Sequence, residues 1–218
     1  DCSNSVLYSP SPGLGYGIYA LASVPRNNIT VKNCILKDLY YGVVLFNSTN
    51  NTIENSIFIN NVRGLAIGNP PSALNPTTKS IIKSNTFINN SVGAMVAPPY
   101  VGNQNTIINN NFISNAAQVE FATSPNTWSF PQLGGNYWSN YNGLDNNLDS
   151  FGDTPFTIGS GNVDSLPLIN QKFLSIEGNA VVGGSVKLKI QSPLDLGKEY
   201  LILVAFSNTP PITLPGPG

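Results

Sequence analysis

Four segments of this chain repeat one pattern: residues 29–36 (ITVKNCIL), 52–58 (TIENSIF), 81–87 (IIKSNTF) and 106–112 (TIINNNF). Each is followed by a second short apolar run. These runs begin near Gly42, Gly64, Gly93 and Gln118, at spacings of 22, 29 and 25 residues. A period of that length means one small unit stacked upon itself. Aligned, the repeats form chemically uniform columns. Leu36, Phe58, Phe87 and Phe112 share one column, and Val31, Ile53, Ile82 and Ile107 another. Ala20, Leu45, Ile67, Val96 and Phe121 share a third. Runs this short, with alternate positions apolar, are strands. Joined by Asn- and Gly-rich corners, they predict the rungs of a parallel β-solenoid whose interior is filled by stacked like residues. Lys32, Glu54 and Lys83 align with Ile108 as an exposed charge ladder. Insertions at 9–15, 68–78 and 98–100 are loops leaving the coils.

Composition narrows the function. Only 10% of the 218 residues are charged and the net charge is −1, which excludes the basic field that nucleic acid or an anionic membrane surface requires. Histidine is absent, which removes the commonest general base and metal ligand. No apolar run reaches transmembrane length. The chain opens at Asp1 rather than Met, which reads as a processed or excised piece. Sequons at Asn28, Asn47, Asn50 and Asn89 are acceptor positions for glycans on an exported chain. Cys34 falls in the column of Ser56, Asn85 and Asn110. Cys2 falls a coil earlier, near the position of Asn27, so the two do not stack directly, and free thiols are expected in preference to a bridge.

The repeats resemble those of the NosD-like family, which implies a right-handed parallel β-helix. The block GGNYWSNY (134–141), GLDNNLDSFGDTPF (143–156) and DSLPLI (164–169) is similar to the closing segment of that family. The resemblance covers about residues 1–170 and implies fold and export. Copper handling is not expected, because the chain offers no His, one Met and two Cys.

Within the closing block, Asp145, Asn147, Asp149, the Phe151 carbonyl and Asp153 alternate as oxygen ligands do in calcium loops, with Asp164 as a further ligand. A structural Ca2+ is therefore expected. Ser150 and Asn147 depart from the family pattern, which has Gly and usually Asp there. Trp128, Tyr137, Trp138 and Tyr141 are expected to cap the apolar end of the solenoid. The alternative for Trp128, Trp138 and Tyr141 is stacking on glycan rings.

Residues 1–133 are thus read as β-helix coils, 134–172 as a closing segment and 173–218 as a small antiparallel, sandwich-like β segment. The tail is too thin for an independent sandwich, so strands in 174–206 are candidates for pairing with a neighbouring copy. The coil acids Asp38, Glu54 and Glu120, and Arg26 and Arg63, occupy different columns and make no catalytic pair. The resulting expectation is a non-enzymatic, extracellular structural or adhesive protein, self-assembling through solenoid ends or tail strands. The alternative is a carbohydrate-binding or polysaccharide-processing β-helix.

Overall fold

The computed structural model describes residues 1–20, 26–68, 77–96, 104–120, 125–159, 161–171, 174–177 and 187–190. The first coil supplies β1 (Val6–Tyr8) and β2 (Tyr16–Ala20). Four complete three-sided coils follow. They are β3 (Thr30–Lys32), β4 (Ile35–Lys37), β5 (Tyr41–Phe46); β6 (Thr52–Glu54), β7 (Ile57–Ile59), β8 (Arg63–Gly68); β9 (Ile81–Lys83), β10 (Thr86–Ile88), β11 (Val92–Val96); and β12 (Thr106–Ile108), β13 (Asn111–Ile113), β14 (Ala117–Glu120). β15 (Tyr137–Trp138) begins another coil. Pairing is parallel throughout: six strands in sheet A (β1-β4-β7-β10-β13-β15), five in sheet B (β2-β5-β8-β11-β14) and four in sheet C (β3-β6-β9-β12). Two antiparallel strand pairs follow, β16 (Phe156–Gly159) with β17 (Asn162–Asp164), and β18 (Leu174–Glu177) with β19 (Lys187–Ile190). The protein is an all-β parallel β-helix with a small antiparallel addition. Among the described residues no helix is long and apolar enough to cross a membrane.

The columns read from the sequence are the hydrophobic interior. Leu36, Phe58, Phe87 and Phe112 stand in direct register, as do Val31, Ile53, Ile82 and Ile107. Phe58, Phe87, Phe112 and Trp138 form a continuous stack with centroids 4.7, 4.9 and 4.5 Å apart. That interval is the spacing of neighbouring strands, so every rung places its ring against the last. The ring column stands beside Gly42, Gly64 and Gly93: a Cβ on Gly42 would lie 2.5 Å from the Gly64 carbonyl and 2.8 Å from the Phe58 ring. Ala20, Leu45, Ile67 and Val96 also align, while Phe121 lies outside the described residues. Lys32, Glu54, Lys83 and Ile108 stack as expected, with Lys83 at 3.2 Å from Glu54 and Lys32 turned to Asp1 at 3.8 Å.

Asparagine does two jobs. At the corners, where the chain turns through positive φ, it tolerates the left-handed conformation at half-buried Asn33, Asn55 and Asn109, and at exposed Asn28, Asn50, Asn60 and Asn89. One residue further on, its side chain points inward and forms ladders. In one, Asn85 donates its N–H and Nδ2 to Asn110 Oδ1, and Asn110 donates likewise to Asn136 Oδ1, all at 3.0–3.1 Å. In another, Asn61 and Asn90 donate in the same way to Asn90 and Asn115. These ladders satisfy backbone N–H groups at the corners, where no strand partner is in reach.

The cysteines differ from expectation. Cys2 and Cys34 form a disulfide with Cα atoms 4.9 Å apart. At β1 the first coil is offset by 29 residues from the second, since Val6 pairs with Ile35, whereas at β2 the offset is 25, and the Cys2 N–H donates to the Lys32 carbonyl. That register brings Cys2 beside Cys34. β18 and β19 confirm antiparallel pairing at the start of the tail. The apolar run at 199–206, the insertion at 98–100 and most of the insertion at 68–78 lie outside the described residues.

Candidate functional site

The site of greatest chemical density is the cap on the C-terminal end of the coils. Here the aromatic stack continues off the solenoid: Phe156 of β16 lies 4.6 Å from Trp138. Trp128 and Trp138 are each 1% exposed, which corrects the glycan-stacking alternative for both. Their faces are in the core and their indole N–H groups are engaged, Trp128 with Asn162 Oδ1 at 2.7 Å and Trp138 with Asp164 Oδ2 at 2.9 Å. Tyr141 is half-buried and meets Phe156 edge-on, and its hydroxyl donates to the Thr154 carbonyl at 2.7 Å. A Cβ on Gly143 or Gly152 would collide with that hydroxyl at 2.0 Å, so both glycines make room for the ring.

Asp164 is fully buried and terminates the asparagine ladder rather than joining the acidic loop. Its Oδ2 accepts the Asn136 N–H at 2.7 Å and the Trp138 indole, and its Oδ1 accepts the Leu166 N–H. A ladder of donors needs an acceptor-only end group, and a carboxylate is one. Burial pushes its pKa up, and the hydrogen bonds from Asn136, Trp138 and Leu166 only partly oppose that. A raised folded-state pKa means the folded protein holds the proton more tightly than the unfolded chain. This group's contribution is therefore favourable at low pH and lost as pH rises through the folded pKa. Asp164→Asn keeps one acceptor oxygen and removes the charge. It is expected to flatten the fall in stability that Asp164 causes as pH rises above the ordinary carboxylate range of about 4. Urea midpoints from about pH 4 to neutral pH check it; an unchanged slope would show that the group does not titrate there.

The acidic loop is braced from within. Asp145 accepts the N–H groups of Asp149 and Ser150 at 3.1 and 2.9 Å, Asp149 accepts that of Phe151 at 2.9 Å, and Asp153 accepts the Asn146 N–H at 2.8 Å. Asn147 Oδ1 accepts the Asp149 N–H at 3.1 Å. Leu148 and Ser150 take positive φ, which the alternation of Asx residues supports. Phe151 forms an antiparallel bridge with Leu168, tying the loop to the buried Leu168. Among the described residues no three of His, Cys, Asp or Glu converge closely enough to hold a metal ion.

Of the sequons, Asn28, Asn50 and Asn89 are exposed on corners, whereas Asn47 is 5% exposed in the folded chain. Among the coil carboxylates, Asp38 lies 3.5 Å from Lys37 and Glu120 lies 3.7 Å from Arg63, a pairing across sheet B that column alignment did not show.

Sequence reading also missed an aromatic group on sheet B. Tyr16 and Tyr41 stack with centroids 5.6 Å apart, Tyr16 meets Tyr19 at 4.7 Å, and Tyr40 meets Tyr41 at 4.8 Å. The Arg63 guanidinium lies 5.5 Å from the Tyr41 ring centroid, and burial pushes the Tyr41 phenol up while Arg63 opposes it. Register pairing of Tyr16 with Tyr41 and of Tyr41 with Arg63 follows from the same offsets that align Ala20, Leu45 and Ile67, but the alignment was read only for the inward-facing column.

No curated protein matches the chain. The family model described as periplasmic copper-binding protein (NosD) matches residues 3–143, which are the coils and the start of the cap, ending before the acidic loop. With about two thirds of its length covered and the stacked rungs of a parallel β-helix in place, this chain belongs to the NosD family.

Proposed function

We propose that this chain is a non-catalytic, extracytoplasmic β-helix with a structural or adhesive role, and that it associates with copies of itself through the tyrosine face of sheet B. The observation that carries this is exposure: Tyr16, Tyr19 and Tyr40 are 53%, 49% and 37% accessible within one contiguous ring cluster. Contiguous exposed aromatic surface marks contact sites. Phe156 of β16 stacks on Trp138 and covers the end of sheet A, while the tyrosine rings lie on the side of the coils, so side-on contact suits the fold better than end-to-end stacking there. The disulfide and the periplasmic description of the family support an extracytoplasmic location.

Copper does not fit these residues. The cysteines are joined to each other, histidine is absent, and the single Met95 is 8% exposed in an apolar cluster. Calcium stays within the reading as a structural ion of the acidic loop, supported by the alternation of Asp145, Asn147, Asp149 and Asp153. Binding would require those carboxylates to converge from their present hydrogen bonds. Chelation is then expected to lower the melting temperature, and an identical melt with calcium and with chelator removes the ion from the reading.

Light scattering over a concentration series tests self-association. The parent is expected to form oligomers and the Tyr16→Ser, Tyr19→Ser double variant to remain monomeric. A strictly monomeric parent overturns the reading.

A further inference from the structure

At the cap, sheet A is one strand longer than sheet B. β15 stacks on β13, while no described strand stacks on β14. After Trp138 the chain leaves the coil instead of building the next sheet B rung. Beside Ala117–Val119 lies a cavity of about 490 Å³, lined by Gln118, Ser139, Asn140, Phe156 and Thr157. A second cavity of about 470 Å³ adjoins it, sharing Asn140, Phe156 and Thr157 and reaching Tyr141 and Asn142. Each volume is in the range of small-molecule sites.

The polar wall is held by the fold's interior. The Asn61–Asn90–Asn115 ladder does not end on a buried carboxylate. Asn115 Nδ2 donates to Gln118 Oε1 at 2.8 Å, and Gln118 Nε2 donates to Ser139 Oγ at 3.1 Å and Asn140 Oδ1 at 3.3 Å. A hydrogen-bond chain that begins in the core thus emerges in the groove and fixes the orientation of its amides, which lowers the ordering cost of binding. Carboxamides and hydroxyls both donate and accept, as sugar hydroxyls do. Tyr141 and Phe156 add aromatic surface for the C–H faces of a sugar ring. No Lys or Arg lines either cavity, and Asp153 is the one carboxylate among the lining residues. Phosphate, nucleic acid and acidic sugars are therefore unmatched. We infer that this groove binds a short neutral saccharide. The site is separate from the tyrosine face, so it stands or falls independently of self-association.

Isothermal titration of the whole chain with neutral di- to tetrasaccharides of glucose, mannose, xylose, galactose and N-acetylglucosamine, and with oligogalacturonate as the acidic comparison, tests this. At least one neutral saccharide is expected to bind with a Kd at or below about 1 mM. Asn140→Ala and Asn142→Ala, both at exposed positions, are each expected to weaken it at least about tenfold, with an unchanged melting temperature; Tyr16→Ser is expected to leave it unchanged. No binding by any neutral saccharide, preference for oligogalacturonate, or binding that survives both Asn substitutions and is lost with Tyr16→Ser would each overturn the assignment.

Discussion

Replacing Asn110 by Ala is expected to cost about 4 kcal/mol of unfolding free energy, a large fraction of the stability of an ordinary domain. The side chain is fully buried. Its oxygen accepts the Asn85 N–H and Asn85 Nδ2, both at 3.0 Å, and its nitrogen donates to the carbonyls of Ile82 and Ile108 at 2.9 and 3.0 Å and to Asn136 Oδ1 at 3.0 Å. Truncation leaves several polar groups in the core with one partner fewer, each costing about 1–3 kcal/mol when wholly unpaired. Asn110→Asp is expected to fail as well, because it sets a carboxylate oxygen against two carbonyls and a carboxamide oxygen. Asn89→Gly is the control. Asn89 is exposed with φ 53°, and glycine takes that conformation freely, so the change is expected to stay within about 0.5 kcal/mol. Urea unfolding of the three variants measures this. A loss below about 1 kcal/mol for Asn110→Ala would mean that water replaces the carboxamide and that the ladder is not a structural element.

Breaking the Cys2–Cys34 bridge is the second large effect. The crosslink spans 32 residues, and the chain-entropy relation places its contribution at about 3.5 kcal/mol. Cys2→Ser is the informative variant, because Cys34 also holds a ladder position where its N–H donates to Ser56 Oγ at 3.1 Å. Reductant is expected to lower the melting temperature of the parent and to leave Cys2→Ser unaffected. Equal melts for the oxidised parent and the variant would show that β1 is held by its pairing with β4 alone.

The aromatic, aliphatic and charged columns were legible because a stacked repeat converts sequence register directly into spatial neighbours: a residue at one period's distance is the next rung. Cys2 was misplaced because the first coil is offset from the second by 29 residues at β1 but by 25 at β2, so register there is set by strand pairing and not by one period. Asp164 illustrates a different limit. Its neighbours in sequence suggested an acidic cluster, yet it ends a ladder whose other members lie 28 to more than 100 residues earlier in the chain.

By itself the sequence determined that the chain stacks, which side chains fill its interior, and where the stacking stops. Only the tertiary structure decided what the end of the stack does. Trp128 and Trp138 turn inward because the last rung exposes an apolar face that must be covered. One ladder closes on a buried carboxylate, while another emerges at Gln118 into the groove beside β14. Periodicity fixes neighbours within the repeat, whereas the groups at its boundary take whatever partners burial and hydrogen bonding leave to them.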